Sequence, residues 1–250
     1  MKESHGPHIS IKAEKIFEIF GFSITNSLLL SFFVLFVFLV LALIYSYQSQ
    51  SKKKGNFYYL INFIIKNLYK LFYSVLKEKT DYFFPLLSSF FLFILFQNWF
   101  GLLPGVGSIL IKIKEEGKMV LTPLFRANTA DLNTTLALAI ISVFLSQVFA
   151  IKFLGFKGYI AKFYRLKDPI SFFIGTLEIV SEISKMISFA FRLFGNVFAG
   201  EVLLTIIAFL VPILVSLPFL LLEVFVGFIQ ALVFSMLTTV FISVAIAKHH

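Results

Sequence analysis

The chain alternates long apolar runs with short polar or basic segments, a pattern typical of a protein that crosses a membrane several times. The runs at residues 28–45, 82–100 and 131–153 each have about the length that a helix needs to span a bilayer. The runs at 169–210 and 219–247 are longer than one perpendicular crossing requires, so each helix must be strongly tilted or broken. We therefore predict an all-α polytopic membrane protein with about five membrane helices, of which the last two are long, tilted and paired as a hairpin.

The segments between these spans have patterns of their own. Residues 57–79 alternate apolar residues with lysines, which predicts an amphipathic helix lying in the membrane interface. Residues 101–130 are polar and rich in glycine and proline, so we interpret them as an outer loop. Pro212 and Pro218 bracket the turn between the last two helices. The whole chain, residues 1–250, is interpreted as a single membrane domain.

Composition and charge support this interpretation. Hydrophobic residues make up 59% of the chain and charged residues 14%, whereas a soluble domain has about 45–50% and about 25%. The net charge of +9 does not indicate nucleic acid binding, because the lysines and arginines lie between the apolar runs. If the N-terminus is outside, the inner segments carry 13 of these cations and the outer segments 7, which favours a cytoplasmic C-terminus. The chain has no cysteine, and we predict neither a metal site nor a cofactor.

The last two helices contain charged and polar residues that are energetically unfavourable in the hydrocarbon core of a membrane. These residues are Glu178, Glu182, Lys185, Arg192, Asn196, Glu201, Glu223 and Gln230. An ionisable side chain at the centre of a membrane helix costs about 2.5–3.5 kcal/mol on insertion scales, so several together indicate a function. The first five fall within about 80° of one helix face. We expect this polar stripe to face water, protein or a partner, and not lipid.

The charged residues of this group differ in their local partners. Glu182 precedes Lys185 by three residues and can neutralise it on the same helix face. Arg192 has no acid within one turn and stays protonated at physiological pH, so its counter-charge must come from another helix or another subunit. Glu201 and Glu223 have no basic neighbour within one turn, and each could bind and release a proton.

A hairpin that turns near residue 212 arranges these groups in layers. Glu201 and Glu223 are then at similar depth, to within a turn or two, and so are Arg192 and Gln230. The second pair lies about 13 Å further from the turn. The sequence therefore predicts two acids near one side of the membrane and a permanent cation deeper inside.

Two segments closely resemble signatures of a known family. Residues 191–201 read Phe-Arg-Leu-Phe-Gly-Asn-Val-Phe-Ala-Gly-Glu, and residues 230–234 read Gln-Ala-Leu-Val-Phe. They resemble the R-L-F-G-N-x-x-A-G-[EH] and Q-A-x-[IV]-F signatures of subunit a of the rotary F-type ATP synthases. Residues 130–136 resemble the start of the family's helix after the long outer loop, and residues 20–27 resemble its bacterial N-terminal segment.

The resemblance implies a proton-translocating stator subunit that provides two half-channels to the c-ring. Arg192 matches the essential arginine that faces the c-ring and couples ion flow to rotation. Glu201 and Glu223 match positions of the proton half-channel, and both are glutamate in this chain where some relatives have a histidine. Asn196 and Gln230 match polar residues packed around the arginine.

Three further acids have two interpretations each. Glu178 and Glu182 would lie in the inner half-channel, but together with Lys185 they could equally form a satisfied cluster near the inner interface. Asp131 would lie at the outer half-channel, although an Asp at this position is more often a helix N-cap.

The resemblance also implies partners and a location. The partners are the c-ring of subunit c, the peripheral-stalk subunit b, membrane lipid and a transported ion, either H⁺ or Na⁺. The location is the bacterial cell inner membrane, in preference to an organellar inner membrane. The chain would contribute to ATP synthesis without being a catalyst by itself.

Two other classes of membrane protein stay open as alternatives. A secondary transporter or channel would usually contain internal repeats, and the sequence contains none that we recognise. A membrane-protein insertase, in which one arginine receives substrate helices, would need no acids at the depth of Glu201 and Glu223. A classical enzyme is not indicated, because the sequence lacks nucleophile, metal and phosphate-binding motifs.

Overall fold

The structure, a computed structural model, describes residues 13–103, 106, 109–115, 118–163, 169–211 and 216–247. Its α-helices are α1 Asn26–Gln50, α2 Asn56–Leu76, α3 Thr80–Gly101, α4 Leu132–Phe163, α5 Pro169–Leu210 and α6 Ser216–Ala245. Its strands are β1 Lys15–Ile19, β2 Phe22–Thr25, β3 Leu110–Glu115 and β4 Lys118–Pro123. Short 3-10 helices occupy Lys77–Lys79 and Asn128–Ala130.

The predicted fold class is confirmed, because α-helices dominate and five segments of the described chain are long and apolar enough to cross a membrane. These segments are α1, Asn56–Gly101 (which contains α2 and α3), α4, α5 and α6. α2 is amphipathic, since it buries Leu68, Phe72 and Leu76 at four-residue spacing and exposes Lys66 and Lys70. Its location in the membrane interface stays a prediction.

Local signals explain where several helices begin and end. The Thr25 side chain accepts a hydrogen bond from the Leu28 backbone N–H at 3.3 Å and so caps α1, which begins at Asn26, two residues before the predicted start. α6 begins at Ser216, which places Pro218 in the first turn, where the missing N–H of proline removes no helical hydrogen bond. Gly155 interrupts α4 with a φ of 76°, a left-handed conformation that favours glycine.

Two β-hairpins supplement the predicted architecture. β1 and β2 pair antiparallel across a turn in which Phe20 and Gly21 both have positive φ, the geometry that suits a two-residue hairpin turn. β3 and β4 pair antiparallel within residues 101–130, so this segment contains a hairpin where a loop is predicted. Alternating apolar and lysine residues in β3 follow the two-residue period of a strand, which a count of glycine and proline does not reveal.

α3 packs against α6, the helix that carries the predicted site residues Glu223 and Gln230, and this packing fixes the position of α6. The rings of Phe90 and Phe234 lie 5.6 Å apart, and Ile94 and Ala231 are fully buried in the same cluster. Small residues allow close helix contacts, which matter in a membrane because lipid is as apolar as the core. A Cβ atom at Gly227 would already contact the Asn98 side chain at 3.1 Å.

Polar contacts join the segments at one end of the bundle, which contains both hairpins and is called here the outer end. The Asn26 side chain accepts from the Glu14 backbone N–H and donates to the Pro123 carbonyl. Asn98 donates to the Gly227 carbonyl at 3.0 Å and accepts from the Thr129 hydroxyl at 2.6 Å. These contacts attach the N-terminal segment, α3, α6 and the segment before α4 to one another. The opposite end is called the inner end.

Candidate functional site

A cavity of about 280 Å³ lies at the outer end, between α3, α5, α6 and the segment before α4. Its polar lining side chains are Asn98, Arg126, Glu201, Thr205 and Glu223. Since a water molecule occupies about 30 Å³ in the liquid, the cavity has room for several. Two carboxyl groups in contact with such a cavity can exchange protons with water. We call this space the outer cavity.

Glu223 reaches the outer cavity from α6. The residue is 9% exposed, and its carboxylate lies against the backbone of Gly200 on α5. A Cβ atom at position 200 would overlap that carboxylate, so a glycine is required for this arrangement. Among the described residues, no group forms a hydrogen bond or an ion pair with the Glu223 carboxylate.

Glu201 lies in the same cavity but has a cationic partner that its sequence neighbours do not predict. The Arg126 Nε atom is 3.1 Å from each of the two Glu201 carboxylate oxygens. The Arg126 side chain is 7% exposed and the Glu201 side chain 39% exposed. Arg126 lies in the segment before α4, 75 residues from Glu201, so no spacing rule for one helix could pair them.

Asn196 and Gln230 connect α5 to α6 further from the outer end. The Asn196 amide donates to the Gln230 Oε1 atom at 2.7 Å, and Gln230 is 4% exposed. The hairpin register therefore places Gln230 beside Asn196, about one helical turn nearer the outer end than Arg192. This position agrees with the predicted depth within the stated margin of a turn or two.

Arg192 is exposed on α5, and its guanidinium contacts no acidic side chain among the described residues. Its hydrogen bond is to the Ser188 hydroxyl at 3.4 Å, which is long. It borders a cleft of about 260 Å³ that also contains Ser181, Ser184 and Lys185 of α5, closed on one side by Leu237 and Phe241 of α6. We call this space the inner cleft.

The ion pair predicted between Glu182 and Lys185 is confirmed, with Lys185 Nζ 2.8 Å from Glu182 Oε1. The side chains of Lys185 and Glu182 are 22% and 15% exposed, so the pair is largely shielded from solvent. Glu178 lies one turn further toward the inner end and is half-buried. The structure thus brings Glu182 and Lys185 next to the inner cleft, and a role for Glu178 and Glu182 in ion movement stays a prediction.

Asp131 acts as the N-cap of α4. Its Oδ1 atom accepts from the Asn133 backbone N–H at 3.0 Å, and its Oδ2 atom accepts from the Ser27 hydroxyl at 3.3 Å. Asp131 is 8% exposed and is not one of the residues that line the outer cavity. The capping interpretation is therefore confirmed, and its place in an ion path stays a prediction.

The fold and the site define a class: a polytopic helical membrane protein with acids and an arginine within its spans. The family model described as ATP synthase A chain matches residues 28–243, which is most of the chain. The chain therefore belongs to the ATP synthase A chain family. It is a multi-pass membrane protein with a proton-translocating stator role in ATP synthesis.

Individual relatives support this assignment. A subunit a from Syntrophobacter fumaroxidans is 36% identical over 188 residues, which covers 75% of this chain and 70% of that protein. A subunit a from Moorella thermoacetica is 30% identical, covering 76% of this chain and 77% of that protein. A chloroplastic subunit a from Stigeoclonium helveticum is 33% identical over 246 residues, covering 97% of this chain and 93% of that protein.

Proposed function

We propose that the chain provides two half-channels to a ring of rotor subunits in an F-type ATP synthase and that Arg192 couples ion flow to rotation. The observation that carries this proposal is that Arg192 is exposed on an apolar helix and contacts no acid among the described residues. A permanent cation facing lipid is costly, so a protein surface with a carboxylate is the favourable cover. A rotor helix with an acid in mid-membrane has this chemistry.

The surface around Arg192 suits a docked helix. In the most apolar part of α5, 11% of the residues are buried, compared with 22% to 44% in the other four candidate spans of the described chain. Ile183, Ile187 and Phe191 are each at least 50% exposed on this helix. A Cβ atom at Gly195 would contact nothing in the described chain, which leaves space for a closely packed partner.

The two water-accessible spaces support separate routes for entering and leaving protons. The outer cavity contains Glu201 and Glu223, and the inner cleft contains three serines beside Lys185 and Arg192. Within the part of the chain that the structure describes, no residue lines both spaces. A proton that enters the outer cavity must therefore travel on another carrier before it reaches the inner cleft. In this proposal the carrier is a rotor carboxyl group, with Glu178 and Glu182 on the exit side.

Electrostatic magnitudes explain how a fixed arginine could couple ion flow to rotation. Two unit charges about 4 Å apart attract by about 4 kcal/mol at an effective dielectric constant of about 20. One charge that crosses a potential of 100 mV gains about 2.3 kcal/mol. The driving force on one ion therefore cannot pull an ionised rotor carboxylate away from Arg192. Protonation of that carboxylate removes the attraction, so rotation follows proton binding.

Further proposals concern the partner subunits, the transported ion, the orientation and the location of the protein. We propose the c-ring and the peripheral-stalk subunit b as partners, H⁺ in preference to Na⁺ as the transported ion, and an outer N-terminus with a cytoplasmic C-terminus. The excess of lysine and arginine in the segments assigned to the inside supports this orientation. The bacterial cell inner membrane is the proposed location, with bacterial relatives in support.

The proposal is tested by comparing the chain alone with the whole complex. Inside-out vesicles that contain the complex should acidify when ATP is added, and a ring of small subunits with an acid in mid-membrane should purify with the chain. Liposomes that contain the purified chain alone should conduct protons no faster than empty liposomes, because the carrier is missing. Rapid flux through the chain alone would contradict the proposal and would favour an independent channel.

The contact between Gly200 and Glu223 allows a test of position. Gly200→Ala should push the Glu223 carboxylate aside and reduce ATP-driven proton pumping at least about tenfold, since small displacements of a reacting group cost about this much or more. Gly158→Ala is the matched control on α4, because a Cβ atom there would meet the Leu154 Cβ atom at an ordinary 3.5 Å. Equal pumping by both variants, with equal amounts of assembled complex, would remove the position of Glu223 from the mechanism.

A further inference from the structure

Arg126 is a buried cation in the wall of the outer cavity. Its Nε atom contacts both carboxylate oxygens of Glu201, and its guanidinium carbon lies 5.8 Å from the centre of the Phe198 ring. No other lysine, arginine or histidine in the described chain lines this cavity. Removing a buried ion from water is favourable only when a well-placed counter-charge compensates, so Arg126 and Glu201 depend on each other.

The segment that carries Arg126 is firmly attached to its surroundings. Pro123 accepts a hydrogen bond from the Asn26 amide, and the Thr129 hydroxyl donates to the Asn98 side chain. The Asn128 side chain accepts from the Thr134 hydroxyl at 2.8 Å, which connects the segment to α4. The guanidinium is therefore held in place by a network at the outer end and is not carried on a free loop.

The two acids of the outer cavity have different surroundings. Glu201 is in contact with Arg126, whose charge favours the Glu201 anion, and is also near the buried Glu14, whose charge disfavours it. Glu223 is more than nine-tenths buried and has no hydrogen-bond or ion-pair partner in the described chain. A buried carboxylate without a partner is costly when ionised, whereas one in contact with a guanidinium is favoured as an anion.

We infer that Arg126 is a positioning residue of the outer half-channel, which holds Glu201 as a fixed anion and leaves Glu223 to bind and release the proton. This inference rests on the proposed function, because it assigns separate tasks to two acids of the proposed half-channel. Glu223 takes a proton from a hydronium ion in the outer cavity, which leaves water and a neutral carboxyl group. It returns to the anion when the proton passes to a rotor carboxylate. The Glu201 anion compensates the charge of Arg126 beside the cavity without carrying a proton onward.

The decisive experiment neutralises the ion pair as a unit in the assembled complex. Glu201→Gln removes the carboxylate that contacts the buried Arg126 guanidinium and should reduce ATP-driven pumping at least about tenfold. The double variant Arg126→Met with Glu201→Gln removes both charges and should restore pumping to within about threefold of the parent protein, because the buried cation is then no longer left beside a neutral residue 201. The combination of Arg126→Met with Glu223→Gln should pump no better than Glu223→Gln alone.

The opposite result for the double variant would overturn the inference. If Glu201 itself carries the proton onward, the neutral pair should pump as poorly as Glu201→Gln. Arg126→Lys is the second variant for the case in which the neutral pair does not assemble. It should keep more pumping than Arg126→Met, with less change in the pH profile, because the charge next to Glu201 is preserved. Equal loss in both Arg126 variants, at equal amounts of assembled complex, would also contradict the inference.

A failure of the proposed function would give a different pattern from a failure of this inference. Normal pumping with Glu223→Gln and with Arg192→Ala would contradict the half-channel itself, whatever the Arg126 variants do. Loss of pumping in these two variants, without rescue in the double variant, would contradict only the assignment of Arg126 and Glu201.

Discussion

Arg192→Ala is expected to abolish ATP-driven proton pumping by the complex, and Arg192→Lys is expected to do the same. In the proposed mechanism, alanine removes the charge that attracts the ionised rotor carboxylate and that repels protons between the outer cavity and the inner cleft. Lysine keeps the charge but loses the planar fork that can contact a carboxylate through two parallel hydrogen bonds. Pumping is measured as acidification of inside-out vesicles after ATP is added, with the amount of assembled complex determined on the same membranes.

Assembly should persist in both Arg192 variants, because the guanidinium contributes little to the fold of the chain itself. Its hydrogen bond within the described chain is the long contact to Ser188, and the side chain is exposed. Lys70→Ala, which removes an exposed cation from α2, is the matched control and should pump like the parent protein. Normal pumping by both Arg192 variants would refute the coupling role.

The length and spacing of apolar runs predict the helices well, because a membrane span must be long and apolar over its whole length. α5 occupies Pro169–Leu210, the residues that the apolar run and Pro169 at its start indicate. The i,i+3 rule predicts the contact between Glu182 and Lys185 for the same reason: both residues lie on one regular helix. Predictions of this kind need only local geometry.

The contacts that the sequence does not reveal join segments that are distant in the chain. The hairpin midpoint places Glu223 opposite residues 200–201, and the structure places its carboxylate at Gly200. The same midpoint carries no information about Arg126, which reaches the site from outside the helical hairpin. A lone arginine in a segment with no helical period gives no signal of its partner, since its position depends on Asn26, Asn98 and the other contacts at the outer end.

The sequence alone decides only in part whether Asp131 is a helix cap or a residue of the ion path. Asp131 stands immediately before the first residue of α4, which predicts the cap contact that the structure contains. Asp131 is also close in sequence to the outer cavity, because Arg126, which lines that cavity, is five residues earlier. The cavity lining includes Arg126 but not Asp131, and this difference depends on the three-dimensional packing.

Glu223→Gln is expected to reduce proton pumping at least about 100-fold, the scale on which a positioned acid or base contributes to proton transfer. Glutamine has nearly the same shape as glutamate but cannot bind and release a proton near neutral pH. Because no group in the described chain forms a hydrogen bond or ion pair with the Glu223 carboxylate, the substitution breaks no such interaction and should leave the amount of assembled complex unchanged. A loss of pumping can then be assigned to proton transfer and not to misfolding.

Glu18→Gln provides the matched control for Glu223→Gln, since it makes the same chemical change at the outer end. The Glu18 side chain is 52% exposed and pairs with Lys15 at 2.9 Å, an exposed ion pair of the kind that contributes about 0–1 kcal/mol to stability. This variant should pump at the rate of the parent protein. If Glu223→Gln pumped equally well, protons would have to reach the rotor by a route that does not include this carboxyl group. Glu201 and Arg126 would then be the remaining titratable or charged side chains in the described lining of the cavity, and the division of tasks between the two acids would be reversed.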